Sequence, residues 1–213
     1  MNFETVAKQI ALFYKTSFDG AFETLALKIK KELGNTDIVQ YVPVPPQLPP
    51  ELPRLVMSYG TFNLNFSKNR VDLHFKELVQ LEQTLVKVAG VIEELGLEIV
   101  RVGFVQKKFL ESEITPLLSI IAENVRPAGA KEINVRANLP KEVSGYECNN
   151  IEALSFVTGS KQQGGQQINT QGILVERDIN TLPEKQSEYF FTKDSLPGVI
   201  SAFEKEANTL TFL

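Results

Sequence analysis

Along residues 62–66 and 71–75, apolar and polar side chains alternate one for one. Phe62, Leu64 and Phe66 are separated by Asn63 and Asn65; Val71, Leu73 and Phe75 are separated by Asp72 and His74. A period of two belongs to a strand with one face buried. The intervening Ser67-Lys68-Asn69-Arg70 suits a turn, because Asn tolerates the left-handed backbone such loops need. The pattern predicts an antiparallel hairpin with Phe66 opposite Val71, Leu64 opposite Leu73 and Phe62 opposite Phe75. Asn63 then faces His74, and Asn65 faces Asp72. A slip of one residue would turn every apolar side chain to water. The hairpin thus offers one face to a core and gathers Asn63, Asn65, Asp72 and His74 on the other.

Helical spacing takes over on both sides. Phe22, Leu25, Ala26, Ile29 and Leu33 predict a helix capped by Asp19 and stopped by Gly34. Leu78, Leu81, Leu85, Val88, Ile92 and Leu95 predict a second helix over 78–95. Gly90 inside it implies a close backbone contact, since a mid-helix Gly costs ~1 kcal/mol relative to Ala. Residues 6–18 read as a strand with Ile10, Leu12 and Tyr14 on one side. Ile38 to Val42 read as a short edge strand, and Glu98 to Lys107 as a strand with Val100, Val102 and Phe104 together. Residues 1–110 therefore read as a ferredoxin-like β-α-β-β-α-β half.

The run from Pro43 to Pro53 favours an extended polyproline conformation and holds two PxxP spacings, Pro46 to Pro49 and Pro50 to Pro53. Such a run serves either as a ligand for an aromatic groove or as a rigid connector. Leu48, Leu52 and Leu55 favour the connector, as apolar side chains able to pin it down.

Residues 111–213 repeat a helix-hairpin-helix order. Thr115-Pro116 opens a helix carrying Leu117, Leu118, Ile121 and Val125. Ile133 to Leu139 and Glu147 to Val157 read as strands. Gly164-Gly165 marks a hairpin turn, flanked by glutamines over 160–167 that read as a mobile, low-complexity loop, and Gly172 to Ile179 pair back. Ser195 and Pro197 open a last helix with Leu196, Val199, Ile200, Phe203 and Ala207 as its stripe, and Leu210 to Leu213 read as a docked tail strand. The class is α+β, with antiparallel sheets and helices packed on one face. Two related halves and one continuous sheet both fit this order.

Composition narrows the function classes. The 213 residues are 43% hydrophobic and 23% charged, with a net charge of −4. That charge offers no basic field to a phosphate backbone, so no nucleic-acid partner is expected. No apolar run reaches the ~20 residues of a membrane span, and no signal segment opens the chain. A lone cysteine, Cys148, excludes an intrachain disulfide and suits a reducing cytoplasm.

Catalytic motifs are missing: no phosphate loop, no GxGxxG, no GxSxG and no HExxH occurs. One His and one Cys do not supply a zinc set, and no metal or cofactor is expected. A Cys148–His74 nucleophile pair is the weakest reading, a buried structural cysteine the ordinary one. Glu176 and Asp178 share a strand face and suit either solvent or a cation. The best candidate site is the polar patch of Asn63, Asp72 and His74, with Arg101 joining it if its strand lies near. His beside a carboxylate is a reasonable base near neutral pH.

Pro53-Arg54-Leu55 before the hairpin, Arg70-Val-Asp-Leu at its end and Arg101-Val-Gly-Phe beyond it carry a resemblance. On these residues the first half resembles the sporadically distributed family of uncharacterised bacterial proteins. Gln106, Lys107 and Lys108 depart from the family's Arg-x-Gly-x-Arg strand. The resemblance implies an α+β fold and no activity. The sequence reads as a cytoplasmic binding protein acting by protein-protein contact or self-association, as a homodimer built from the second half. The alternative is a small-molecule enzyme or sensor using the patch around His74.

Overall fold

A computed structural model describes residues 3–45, 47–76, 80–112, 134–163 and 166–209. The chain runs β1 (Glu4–Tyr14), α1 (Phe22–Leu33), β2 (Ile38–Tyr41), β3 (Leu55–Ser58), β4 (Phe62–Phe66), β5 (Arg70–Phe75), α2 (Leu81–Glu94) and β6 (Ile99–Glu111). It continues with β7 (Asn134–Asn138), β8 (Lys141–Val143), β9 (Tyr146–Gln163), β10 (Gln166–Thr181), a 3-10 turn (Pro183–Lys185) and α3 (Leu196–Ala207). The strands form one ten-stranded sheet in the order β2-β3-β4-β5-β1-β6-β10-β9-β7, with β8 also paired to β9. Every paired ladder is antiparallel. Of the two arrangements the sequence allows, the continuous sheet is the one formed, because β6 pairs β1 on one side and β10 on the other.

The hairpin holds the register its alternation demands, with Phe62 opposite Phe75, Leu64 opposite Leu73 and Phe66 opposite Val71. All six of these apolar side chains are buried. On the same face, Ile10, Leu12 and Tyr14 of β1 and Val102 and Phe104 of β6 complete the floor of the core. The helices roof it in a row, α1 touching α2 and α2 touching α3. Leu25 and Ile29, Leu85 and Ile92, and Val199 and Phe203 point down from them. Among the described residues, the opposite face of the sheet carries no helix.

Several local expectations are corrected. Asp19 does not cap α1. The helix starts after Ala21 without a side-chain cap, and Asp19 pairs instead with Lys68 at 3.0 Å. A strand absent from the reading, β3, joins β2 to the hairpin, so the proline run is the loop between two paired strands. That loop is not an extended polyproline rod. The amides of Leu48 and Leu52 bond back to the carbonyls of Pro45 and Pro49, which folds it into successive turns. Leu48 and Leu52 are exposed. Leu55, at the start of β3, is buried as expected, and the rest of the anchoring is polar: Arg54 Nη1 donates to the Val44 carbonyl at 2.8 Å, Asn69 donates to Glu51 at 2.8 Å, and the Lys68 amide donates to Pro50. Gly90 has no close backbone neighbour; a Cβ there would meet Lys193 at an ordinary 3.8 Å.

The glutamine-flanked stretch is corrected too. β9 and β10 stay paired to the end, Gln163 opposite Gln166, so the expected loop is ladder apart from Gly164-Gly165, which lies outside the described residues. The second helix starts at Leu81 rather than Leu78, because Gln80 just before it is in left-handed backbone with φ 69. Leu78 itself, the helix expected from Thr115 and the tail Leu210 to Leu213 also lie outside the described residues.

Candidate functional site

Each strand of the uncovered face contributes its alternate residues, and the registers place them in rows. One row runs Asn63, His74, Gln9, Val105 and Asp178 across β4, β5, β1, β6 and β10. The next runs Asn65, Asp72, Ala11, Gly103 and Asn180. A third brings Arg70, Phe13 and Arg101 side by side, because Phe13 of β1 pairs with both arginines. The sequence-predicted residues Asn63, Asp72, His74 and Arg101 thus share one face, with Arg101 one strand removed from the others.

Their partners decide what they do. Asp72 is buried, yet it does not serve His74. Its Oδ2 lies 2.9 Å from Arg70 Nε, an ion pair by distance whose N–H is not aligned on the oxygen, and its Oδ1 accepts from Gln9 Nε2 at 3.2 Å. Burial lowers the His74 pKa, Asp72 raises it and Arg70 lowers it; the net shift is downward. His74 is therefore held as neutral imidazole, without an orienting carboxylate bond. Asn63 Oδ1 is buried with no hydrogen-bond partner. The aligned His–carboxylate pair of a general base is not built here.

Phe13 was not singled out by the sequence. Its ring lies under the Arg101 guanidinium, with Cζ 4.1 Å from the ring centroid, and Arg70 Cζ is 5.6 Å from the same centroid. Both lie within cation–π range. Burial lowers the Arg101 pKa, partly offset by Asp178, without threatening its charge. Burial likewise raises the Asp178 carboxyl, whose oxygen accepts from Asn180 Nδ2 at 3.0 Å. Glu176 is held by Lys107 at 2.9 Å. The Glu176/Asp178 pair is thus engaged, and among the described residues no group of three His, Cys, Asp or Glu stands ready for a metal ion.

Cys148 and His74 lie on opposite faces. Cys148 sits in the core opposite Thr181, its thiol pushed up to about 12 by burial. His74 is on the uncovered side of β5, with β1, β6 and β10 intervening. No nucleophile–base pair joins them.

Two hollows accompany these groups. One of about 460 Å³ lies at the end of the uncovered face, lined by Ala7, Gln9, His74, Lys76, Val105 and Lys107 among others. The other, about 890 Å³, runs between α2 and α3 on the helix side, walled by Leu81, Leu85, Pro197 and Ile200. Buried Lys8 ion-pairs there with half-buried Glu204. The sequence offered no sign of this groove, since Lys8 and Glu204 lie 196 residues apart. No helix of the described residues is long and apolar enough to cross a membrane. No protein-family model matches the chain, and no curated protein does.

Proposed function

We propose that this chain is a cytoplasmic binding protein that works by protein-protein contact, with self-association as a homodimer its most concrete form. One observation carries the reading: a wide sheet face, polar and uncovered among the described residues, whose Asp72 and Glu176 are already ion-paired and whose histidine lacks a base's geometry. Such a face is suited to contact rather than turnover. The dimer is assigned to the second half, where β7 ends the sheet. Its burial alternates exposed and half-buried, and no proline guards it. The cytoplasmic assignment rests on the lone, buried Cys148. A ferredoxin-like reading of the first half is supported by the strand order β6-β1-β5-β4, with β2 and β3 added at its edge.

The test is a photo-crosslinking residue placed at Asn65 on the uncovered face, compared with one at Leu27, which is exposed on α1. Irradiation in cells is expected to give a discrete adduct from position 65 alone, at the summed mass of the chain and another protein; a dimer joined through β7, at the far end of the sheet, gives none from 65. No adduct from 65, or the same adducts from both positions, would overturn the reading of this face as a contact surface.

A second reading has its own support. The hollow of about 460 Å³ beside His74 falls within the ~300–1,000 Å³ of small-molecule sites. A sensor using His74 and Lys107 remains the alternative, and a saturable small-molecule shift of the His74 ring resonances would favour it.

A further inference from the structure

We propose that Arg101, stacked on Phe13 and flanked by Arg70, is a recognition point for a carboxylate on an acidic peptide segment of a partner protein; this rests on reading the uncovered face as a contact surface. The two arginines are not equivalent. The Arg70 charge is answered by Asp72 at 2.9 Å. Arg101 has no carboxylate within 4.0 Å among the described residues, and its Nε is buried without a hydrogen-bond partner. A half-buried guanidinium left unanswered is unfavourable alone, and a ligand carboxylate would relieve it.

The surroundings fit such a ligand. The cation–π contact with Phe13, 4.1 Å from Cζ to the ring centroid, restrains the guanidinium before any ligand arrives. Next to Arg101 on the same face, Gly103 pairs with Ala11, and neither carries a side chain beyond a methyl. Side-chain bulk beside the guanidinium is therefore small, with Gly103 itself buried. Asn180 and Ala11 flank this position on the same face, their Cβ atoms 3.6 and 3.7 Å from where a Gly103 Cβ would stand.

Charge sets the class of partner. Asp178 and Glu184 act on Arg101 from beyond ion-pair distance, and Asp72 faces Arg70. Against the two arginines these three carboxylates leave a slight negative excess, which opposes one carboxylate in direct contact with the guanidinium less than it opposes a chain of phosphates. The net charge of −4 adds to that repulsion. A sheet face that carries no helix among the described residues suits a peptide segment better than a small free acid, which needs enclosure.

The Arg101 Nε–H is shielded from solvent and is therefore suited to observation by NMR. The probe is an end-blocked hexapeptide with one Glu among Gly residues, with a Gln-for-Glu peptide, inorganic phosphate and a short uridine oligonucleotide as comparisons. The Glu peptide is expected to shift the Arg101 Nε–H signal saturably, and the Gln peptide is not. Arg101→Lys keeps the charge but loses the fork, and should weaken binding roughly tenfold. Arg101→Gln should abolish it. A signal unmoved by the Glu peptide, moved equally by the Gln peptide, or moved more by phosphate or the oligonucleotide would overturn the proposal. The wild-type titration decides the matter even if a variant fails to fold. Crosslinking from position 65 that survives Arg101→Gln unchanged would sink the carboxylate role alone. Crosslinking absent from the wild-type protein would sink the reading beneath it.

Discussion

Gly172 and Gly90 both stand inside regular elements, but their surroundings give them opposite roles. A Cβ on Gly172 would fall 2.2 Å from the Leu110 carbonyl oxygen and 2.7 Å from the Phe109 ring. The backbone cannot yield there without breaking the β6–β10 ladder. Gly172→Ala is expected to cost about 1–3 kcal/mol or more by the overpacking argument, seen as a lowered denaturation midpoint. Gly90 in α2 meets nothing closer than 3.8 Å and has no positive φ, so Gly90→Ala is expected to stabilise by about 0.5–1 kcal/mol. If the two substitutions behaved alike, this placement of the two backbones would be wrong. His74 adds a pH signature at the same scale. It is the single histidine, and the groups facing it are Asp72 and Arg70 on its own strand, Asn63 of β4, Gln9 of β1, and Lys76 and Lys107 at the hollow. Its folded pKa is lowered, so the unfolded chain takes up the proton first as pH falls. Stability is therefore full above the unfolded value of about 6.5 and is lost as pH falls through the lower folded value. His74→Asn should flatten the melting temperature between about pH 7 and 5; an unchanged slope would show that His74 is not the group responsible.

The elements show why part of this fold was legible and part was not. In the hairpin β4–β5, period-two alternation fixes the face, and the face fixes the register. Asn63, Asp72 and His74 could thus be placed together from the sequence. The stripes of α2 and α3 were equally plain, and Leu85, Ile92 and Phe203 are all buried. Leu85→Ala should cost ~2–5 kcal/mol, and an unmoved denaturation midpoint would contradict its place in the core. β3 was hidden because Leu55–Ser58 has only four residues and follows prolines, where local propensity argues for a loop. Its pairing is long-range information. Phe13 was missed for a related reason. An aromatic in a strand says nothing about which arginines its neighbours bring, and here β5 and β6 each bring one from a distant part of the chain. The glutamine-rich stretch misled in the other direction, since low complexity resembles disorder while the backbone ladder of β9 and β10 is indifferent to side chains.

At the scale of the whole molecule, an open sheet of ten antiparallel strands has two ends that must be managed. At one end β2 exposes Ile38 and Tyr41, and the folded proline loop follows directly after it. At the other end β7 presents Asn134–Asn138 with Arg136 its only charge, and Leu139 beside it is 42% exposed. With one charge and no proline within Asn134–Asn138, β7 lacks two of the usual guards of an edge. Two copies meeting there about a two-fold axis would pair β7 antiparallel with itself and extend the sheet without a break. Five residues of ladder alone are too small a contact, so neighbouring side chains must bring the buried area above ~1,000 Å² in total. Light scattering is expected to give a dimer mass that falls toward the monomer only on dilution. Proline placed at alternate positions of 134–138 should separate two outcomes. Where the N–H faces β9 the fold should weaken, and where it faces outward the dimer should dissociate with the melting temperature nearly unchanged. A monomer mass across a broad concentration range would remove the dimer, and contact with a different protein through the uncovered face would then carry the binding reading alone.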